Sequence, residues 1–169
     1  MNIQKTNAAR LLEQHKIAYQ LVSYDVDEND LGAEHVAQQL GEDVDSVFKT
    51  IVLRGDRTGI FVCVVPATAE VDLKKAAKVI GDKKCELIRV KELLSLTGYV
   101  RGGCSPIGMK KSYPTIFQQD ILHHPYVFCS AGQRGLQFRI SPQDLIAAAH
   151  GHLADVVPSP LSSNNTCIH

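Results

Sequence analysis

The sequence predicts an α/β (α+β) fold, a single domain built on one curved, largely antiparallel mixed sheet flanked by helices. Three observations lead there. The chain has 169 residues, enough for one ordinary hydrophobic core and little more. Hydrophobic residues make up 44% and charged residues 21%, a composition that folds rather than stays disordered. Short β-branched and apolar runs alternate with helical segments, and hairpins are expected within residues 47–65 and 126–140.

The elements follow in order. Thr6 caps a first helix reaching Lys16, with Ala9, Leu12 and Leu11 inward. Gln20–Tyr24 reads as a strand and Asp25–Asp30 as an acidic loop. A second helix covers Leu31–Leu40 and stops at Gly41. Val47–Arg54 and Gly59–Val65 form a hairpin across Gly55-Asp56-Arg57-Thr58. Asp72–Ile80 is helical and ends at Gly81, Glu86–Val90 is a short strand, and Lys91–Leu96 a short helix. Tyr99–Lys111 holds three glycines and a proline and reads as loop. Strands follow at Thr115–Gln119, Tyr126–Ser130 and Leu136–Ile140. The last helix opens on Ser141-Pro142, with Asp144 in capping-box position, and stops near Gly151. Residues 1–157 are therefore expected to form the domain. Residues 158–169, rich in proline, serine and asparagine, are expected to be a loosely ordered tail.

Charge narrows the function. Basic and acidic residues number 18 each, so the formal net charge is zero. Gripping a whole nucleic acid by bulk charge is excluded, because that neutralises many phosphates. Yet residues 72–111 hold 10 basic and 4 acidic side chains, a net of +6, so a polyanion can be met at one place. No apolar run approaches the roughly 20 residues of a membrane span. The start lacks the apolar core of a secretory signal, so a cytoplasmic location and no membrane partner are expected. Five cysteines without a CxxC pair argue against a disulfide framework or a zinc site.

Several residues can carry chemistry. Alternation places Lys49 on an apolar strand face with Val47, Ile51 and Leu53. Such a lysine either reaches an edge and pairs with a carboxylate, or stands as a cation on a cleft floor. In Arg101-Gly102-Gly103-Cys104-Ser105-Pro106-Ile107-Gly108, the backbone N–H groups can form an oxyanion hole, or the glycines can simply serve a tight turn. Ser130 ends a strand before a glycine-bounded turn, outside any G-x-S-x-G elbow. Cys104 and Cys129 read first as small buried hydrophobes and second as thiol nucleophiles. His123-His124-Pro125 and His150-Gly151-His152 read as surface residues rather than triad members or ligands.

Three motifs together carry a resemblance: Val-Phe-Lys-Thr at 47–50, Gly-Gly-Cys-Ser-Pro-Ile-Gly at 102–108, and Ser-Ala-Gly-Gln-Arg-Gly-Leu-Gln at 130–137. Over residues 4–157 the chain resembles the YbaK family of aminoacyl-tRNA deacylases. These are free-standing relatives of the editing domain inserted in bacterial prolyl-tRNA synthetase. The resemblance implies hydrolysis of mischarged Cys-tRNA(Pro), and also Cys-tRNA(Cys), at the tRNA 3′ end. It implies Lys49, Gly102, Gly103 and Ser130 as catalytic residues. For substrate binding it implies Tyr24, Thr50, Ser105, Pro106, Gly132 and Gln137. Some members carry aspartate where Gln137 stands here. The resemblance implies no cofactor and no metal, and a transient complex with prolyl-tRNA synthetase. Two alternatives are an Ala-tRNA(Pro) deacylase and a non-catalytic module binding an aminoacyl or nucleotide end.

Overall fold

The computed structural model describes residues 5–27, 29 and 32–159. The helices are α1 (Asn7–Gln14), α2 (Ala33–Leu40), α3 (Leu73–Ile80), α4 (Val90–Thr97) and α5 (Pro142–Ala148). The strands are β1 (Gln20–Ser23), β2 (Phe48–Gly55), β3 (Gly59–Pro66), β4 (Cys85–Leu87), β5 (Thr115–Gln118), β6 (Val127–Ser130), β7 (Leu136–Ile140) and β8 (His152–Ala154). Short 3-10 turns sit at Val44–Ser46 and Gln119–His123.

Caps set the helix starts. Thr6 Oγ1 accepts from Ala9 N–H at 3.1 Å, and the Asp72 carboxylate accepts from Lys74 and Lys75 N–H at 3.1 Å each. Ser141 Oγ accepts from Asp144 N–H at 3.2 Å, with Pro142 at the first helical position. The last helix stops earlier than the sequence suggests. Its C-cap is Ala149, and His150 turns the chain with φ 51° before Gly151 is reached.

The fold class is as expected, but the sheet is divided. A five-stranded sheet runs β4-β2-β3-β5-β8 and a three-stranded sheet runs β1-β7-β6. They meet in one parallel bridge, Val47 to Phe128. The small sheet is wholly antiparallel, whereas β3–β5 and β5–β8 are parallel. A long crossover through α3, β4 and α4 separates β3 from β5, and parallel neighbours need such a crossover. Strand β8 escapes the sequence reading, because three residues are too few to show a period. Leu31, the expected start of α2, and the tail beyond Ser159 lie outside the described residues.

Alternation along β2 and β3 builds two cores. Phe48, Val52, Val62 and Val64 face the main core, with Phe117, Phe138 and Leu145. Leu53, Phe61, Cys63 and Val65 face a second core under α3. Val47 and Phe128 join Val36 and Ala37 of α2 in a third cluster at the seam between the sheets.

The β2–β3 hairpin is latched to the end of α3. Asp82 accepts from Thr58 Oγ1 at 2.7 Å and from Thr58 N–H at 3.2 Å. The Thr58 hydroxyl bond holds the Asp82 carboxyl below its usual range. Glu92 is lowered by its bond from Arg54, and Asp155 by its bond from Lys75. Each carboxylate thus stabilises the fold above its unfolded-state pKa, and the gain is lost as pH falls through the lower folded value. Thermal melts should show Asp82→Asn less stable than the wild type at neutral pH. The gap should narrow below about pH 4. A gap independent of pH would remove Asp82 from this linkage.

Candidate active site

The candidate site begins at the seam. Beyond the Val47–Phe128 bridge, the next residues on the same face of each strand are Lys49 and Ser130. Ser130 lies opposite Gln137 in the β6–β7 register, and Gln137 lies opposite Val22 of β1. One row of side chains therefore runs Lys49, Ser130, Gln137, Val22 across the divided surface. Tyr24, half-buried, extends it, with its N–H donating to Gly135 O at 3.0 Å.

Lys49 satisfies both readings of the sequence in part. Its Nζ lies 3.6 Å from a Glu70 carboxylate oxygen, and the side chains are 29% and 85% exposed. At that distance, with Glu70 in solvent, the attraction is screened and weak. The cation remains available to a ligand.

Two nearby polar atoms are buried without partners: Gln137 Oε1 and Thr50 Oγ1. Only Asp82 Oδ1 shares that condition among the described residues. Leaving a polar group so is costly, on the order of 1–3 kcal/mol, unless a ligand supplies the partner. Thr50 lies on the opposite face of β2 from Lys49, beside Phe48 and Val52. The two adjacent residues therefore address opposite sides of β2. On its outer edge β2 pairs with β4 only over Leu53–Gly55, and at its start the chain bridges to β6 through Val47 and Phe128.

The glycine loop stands against the turn that follows Ser130. Val100–Gly103 form a turn closed by Gly103 N–H donating to Val100 O at 2.9 Å, with Gly102 at φ 85°. The sequence left Gly102 and Gly103 both open as the loop's donor, and their bonding differs. The Gly103 N–H is spent inside the turn, while the Gly102 N–H has no partner among the described residues. A Cβ on Gly103 would come 3.0 Å from Gln133 Cα and 3.1 Å from Arg134 N. Arg134 Nε donates to Arg101 O at 2.7 Å, clasping loop to turn. Ser130 Oγ accepts from Gly132 N–H at 3.1 Å.

Two expected substrate-binding residues stand elsewhere. Ser105 is fully buried and its Oγ accepts from Ile107 N–H at 3.3 Å, so it shapes the loop from within. Pro106 is buried and lines a cavity formed with α1 and α5. Gly132 gives room rather than contact: a Cβ there would come 3.1 Å from the Tyr99 ring. Three supports were not singled out in the sequence. Tyr99 donates its hydroxyl to Ile107 O at 2.6 Å, and burial pushes that hydroxyl up to about 12. Thr6 Oγ1 donates to Ala131 O at 2.6 Å, tying α1 to the Ser130 turn. The third is the Arg134–Arg101 clasp. Long-range contacts of this kind leave no local signal.

A family model for the aminoacyl-tRNA editing domain matches residues 27–148. The chain belongs to the aminoacyl-tRNA editing-domain family. Among curated relatives, it is 44% identical over 153 residues to EbsC of Enterococcus faecalis, a candidate Cys-tRNA(Pro)/Cys-tRNA(Cys) deacylase. That match covers 90% of this chain and 93% of EbsC. Among solved structures, a candidate trans-editing enzyme for prolyl-tRNA synthetase superposes with a TM-score of 0.78 at 26% identity. It covers 92% of this chain and 100% of that one. The protein APE2540 shares the fold, with a TM-score of 0.81 at 20% identity over 88% of this chain and 97% of its own. The resemblance read from the three motifs is borne out.

An editing domain must cleave an ester, and the buried thiols here are ill suited to attack one. Burial pushes Cys63, Cys104 and Cys129 each up to about 12, which keeps them protonated near neutrality. Cys104→Ala and Cys129→Ala, each alone, should leave deacylation within about threefold of the wild type. Complete loss in either variant, with an unchanged circular dichroism spectrum, would restore a thiol nucleophile. Ser130 Oγ has no histidine or carboxylate bonded to it among the described residues, so no triad is assembled. His124 instead packs edge-on against Phe48, with centroids 5.9 Å apart. Among the described residues no three His, Cys, Asp or Glu side chains form a metal cage, and no helix is long and apolar enough to cross a membrane.

Proposed function

We propose that the protein hydrolyses Cys-tRNA(Pro), and Cys-tRNA(Cys), releasing cysteine from the tRNA 3′ end. The observation that carries this reading is the 44% identity to EbsC along nearly the whole of both chains. The row of Lys49, Ser130 and Gln137, with the glycine loop packed on the turn that follows Ser130, supports it.

The chemistry follows from the groups present. The ester carbonyl oxygen gains negative charge as the tetrahedral intermediate forms, and the unpartnered Gly102 N–H is its donor. Lys49 anchors the terminal nucleotide or polarises the ester. Ser130 Oγ, fixed by Gly132 N–H, contacts the aminoacyl group, and Gln137 Oε1 accepts from it. The attacking atom comes from water or from the substrate's own thiol sulfur. In either case the ester C–O bond breaks and the ribose oxygen leaves with a proton. Water attack gives cysteine directly, whereas thiol attack forms a C–S bond and a four-membered thiolactone that water then opens to cysteine. The thiol route gains by orientation, since nucleophile and ester belong to one bound molecule.

Incubation with Cys-tRNA(Pro), Cys-tRNA(Cys) and Ala-tRNA(Pro) in parallel tests the reading. Loss of label from the cysteinyl substrates above the spontaneous rate is expected. Faster loss from Ala-tRNA(Pro) would make the protein an alanyl deacylase, and no hydrolysis would leave a binding module. Selection of tRNA(Pro) by so small a domain calls for help, and a transient complex with prolyl-tRNA synthetase supplies it. Residues 1–157 are proposed as the complete catalytic unit.

Ser130→Ala should reduce kcat/KM about 5- to 20-fold, the worth of one hydrogen bond to a reacting substrate. Ser105→Ala should act on melting temperature instead, because that hydroxyl serves the loop. Equal and negligible effects on kcat/KM would remove Ser130 from the site.

A further inference from the structure

The glycine loop has a second side. Residues 106–109 form one wall of a cavity of about 230 Å³ bounded by the C-terminal ends of α1 and α5. The floor is apolar, with Leu12, Ile107 and Met109. The rim carries His15, Lys111, Ser112 and His150, all exposed, and among the described residues no carboxylate lines the cavity. Among the described residues none of these four side chains has a hydrogen bond or ion pair. Tyr113 adds a ring held in place by its hydroxyl bond to Leu96 O at 2.7 Å.

These features select a ligand class. The volume is below the usual range of roughly 300–1,000 Å³ for small-molecule sites, so the body admitted is about one heteroaromatic ring system. The rim is cationic or hydrogen-bonding on three separate segments and unopposed by acid, so the ligand carries negative charge outside the cavity. A nucleotide, a flat stacking ring carried with a phosphate, has this form. Inorganic phosphate alone would leave the apolar floor unused.

We propose that this cavity is a second nucleotide-binding site, formed by the same loop that carries Gly102 and Gly103. The base occupies the apolar floor, and the phosphate is held by Lys111 with His15 and His150. Because Ile107 and Met109 belong to the catalytic loop, occupancy steadies that loop. The nucleotide is either an unpaired one from the acceptor end of the bound tRNA or a free mononucleotide. The tRNA source rests on the deacylase reading; binding itself does not.

Heteronuclear NMR titration with AMP and CMP tests binding in the whole protein. Saturable shifts are expected at residues 106–113 and 148–150, weakened about tenfold or more in Lys111→Ala and His15→Ala. Both positions are exposed, so folding is not at stake. Shifts that are absent, unsaturable, or indifferent to both substitutions would overturn the site. Deacylation then separates the sources. With an RNA nucleotide in the cavity, both variants raise KM for Cys-tRNA(Pro) but not for a cysteinyl-adenosine ester. With a free nucleotide, tRNA kinetics are unchanged until AMP or CMP is added, and only the wild type responds. If neither ester is cleaved, the deacylase reading fails while the titration still decides the cavity.

Discussion

Lys49→Ala is expected to lower kcat/KM for Cys-tRNA(Pro) by on the order of 10- to 100-fold, the worth of a hydrogen bond from a charged group. The fold should survive. The lysine's one ion pair is 3.6 Å long, and its partner Glu70 is in solvent, so little stability leaves with it. Lys49→Met separates charge from packing, because it keeps an apolar stem against Val47 and Ile51. Both variants should bind tRNA at low salt, where phosphate contacts dominate. Turnover near the wild-type rate in Lys49→Ala would remove this residue from the chemistry. Loss of turnover in Lys49→Ala but not in Lys49→Met would show that bulk, rather than charge, is what the site needs.

Gly103→Ala should damage activity without touching a single donor used in catalysis. The added methyl meets Gln133 Cα at 3.0 Å and Arg134 N at 3.1 Å, and backbone cannot swing aside as a side-chain tip can. Loop and turn must part, at about 1–3 kcal/mol for overpacking of this kind. The larger cost falls on geometry. The neighbouring Gly102 N–H moves with the loop, and a misplacement of about 1 Å can cost about a hundredfold in rate. Gly81→Ala is the control. Its residue has φ 90° at the end of α3, so alanine is strained there, yet nothing lies within 4 Å of the new Cβ. That variant should melt earlier but deacylate normally once folded. Similar kinetic losses in both would mean that Gly103 acts through stability alone.

The sequence carried the fold where local physics sufficed. Thr6, Ser141 and Pro142 mark helix starts that the structure keeps, and Gly41, Gly81 and Gly98 mark ends. The β2–β3 hairpin is legible from its apolar run and its turn. Division of the sheet was not legible, because strand order is a long-range property that no window of residues reports. The site divides in the same way. Lys49 stands out in sequence because an apolar strand face rarely holds a charge. Its neighbour Ser130 is 81 positions away and joins it only through the seam register. Ser105 and Pro106 entered as substrate-binding residues through the resemblance alone, and no local pattern reports their burial. In the structure both are buried. Whether the Gly102 or the Gly103 N–H is free depends on which one closes the turn, and composition is silent on that.

Among the described residues a single bridge joins the ladders of the two sheets, and it sits where Lys49 and Ser130 meet, over a core that both sheets share. Each sheet is held by its own ladders, so each can retain its hydrogen bonds when Val47 and Phe128 separate. Lys49 belongs to one and Ser130 to the other. A chain with that joint sprung would keep almost all its secondary structure, look native by most spectroscopic measures, and edit nothing. Quality control of translation by this protein therefore depends on that one strand pairing together with the core packed across it.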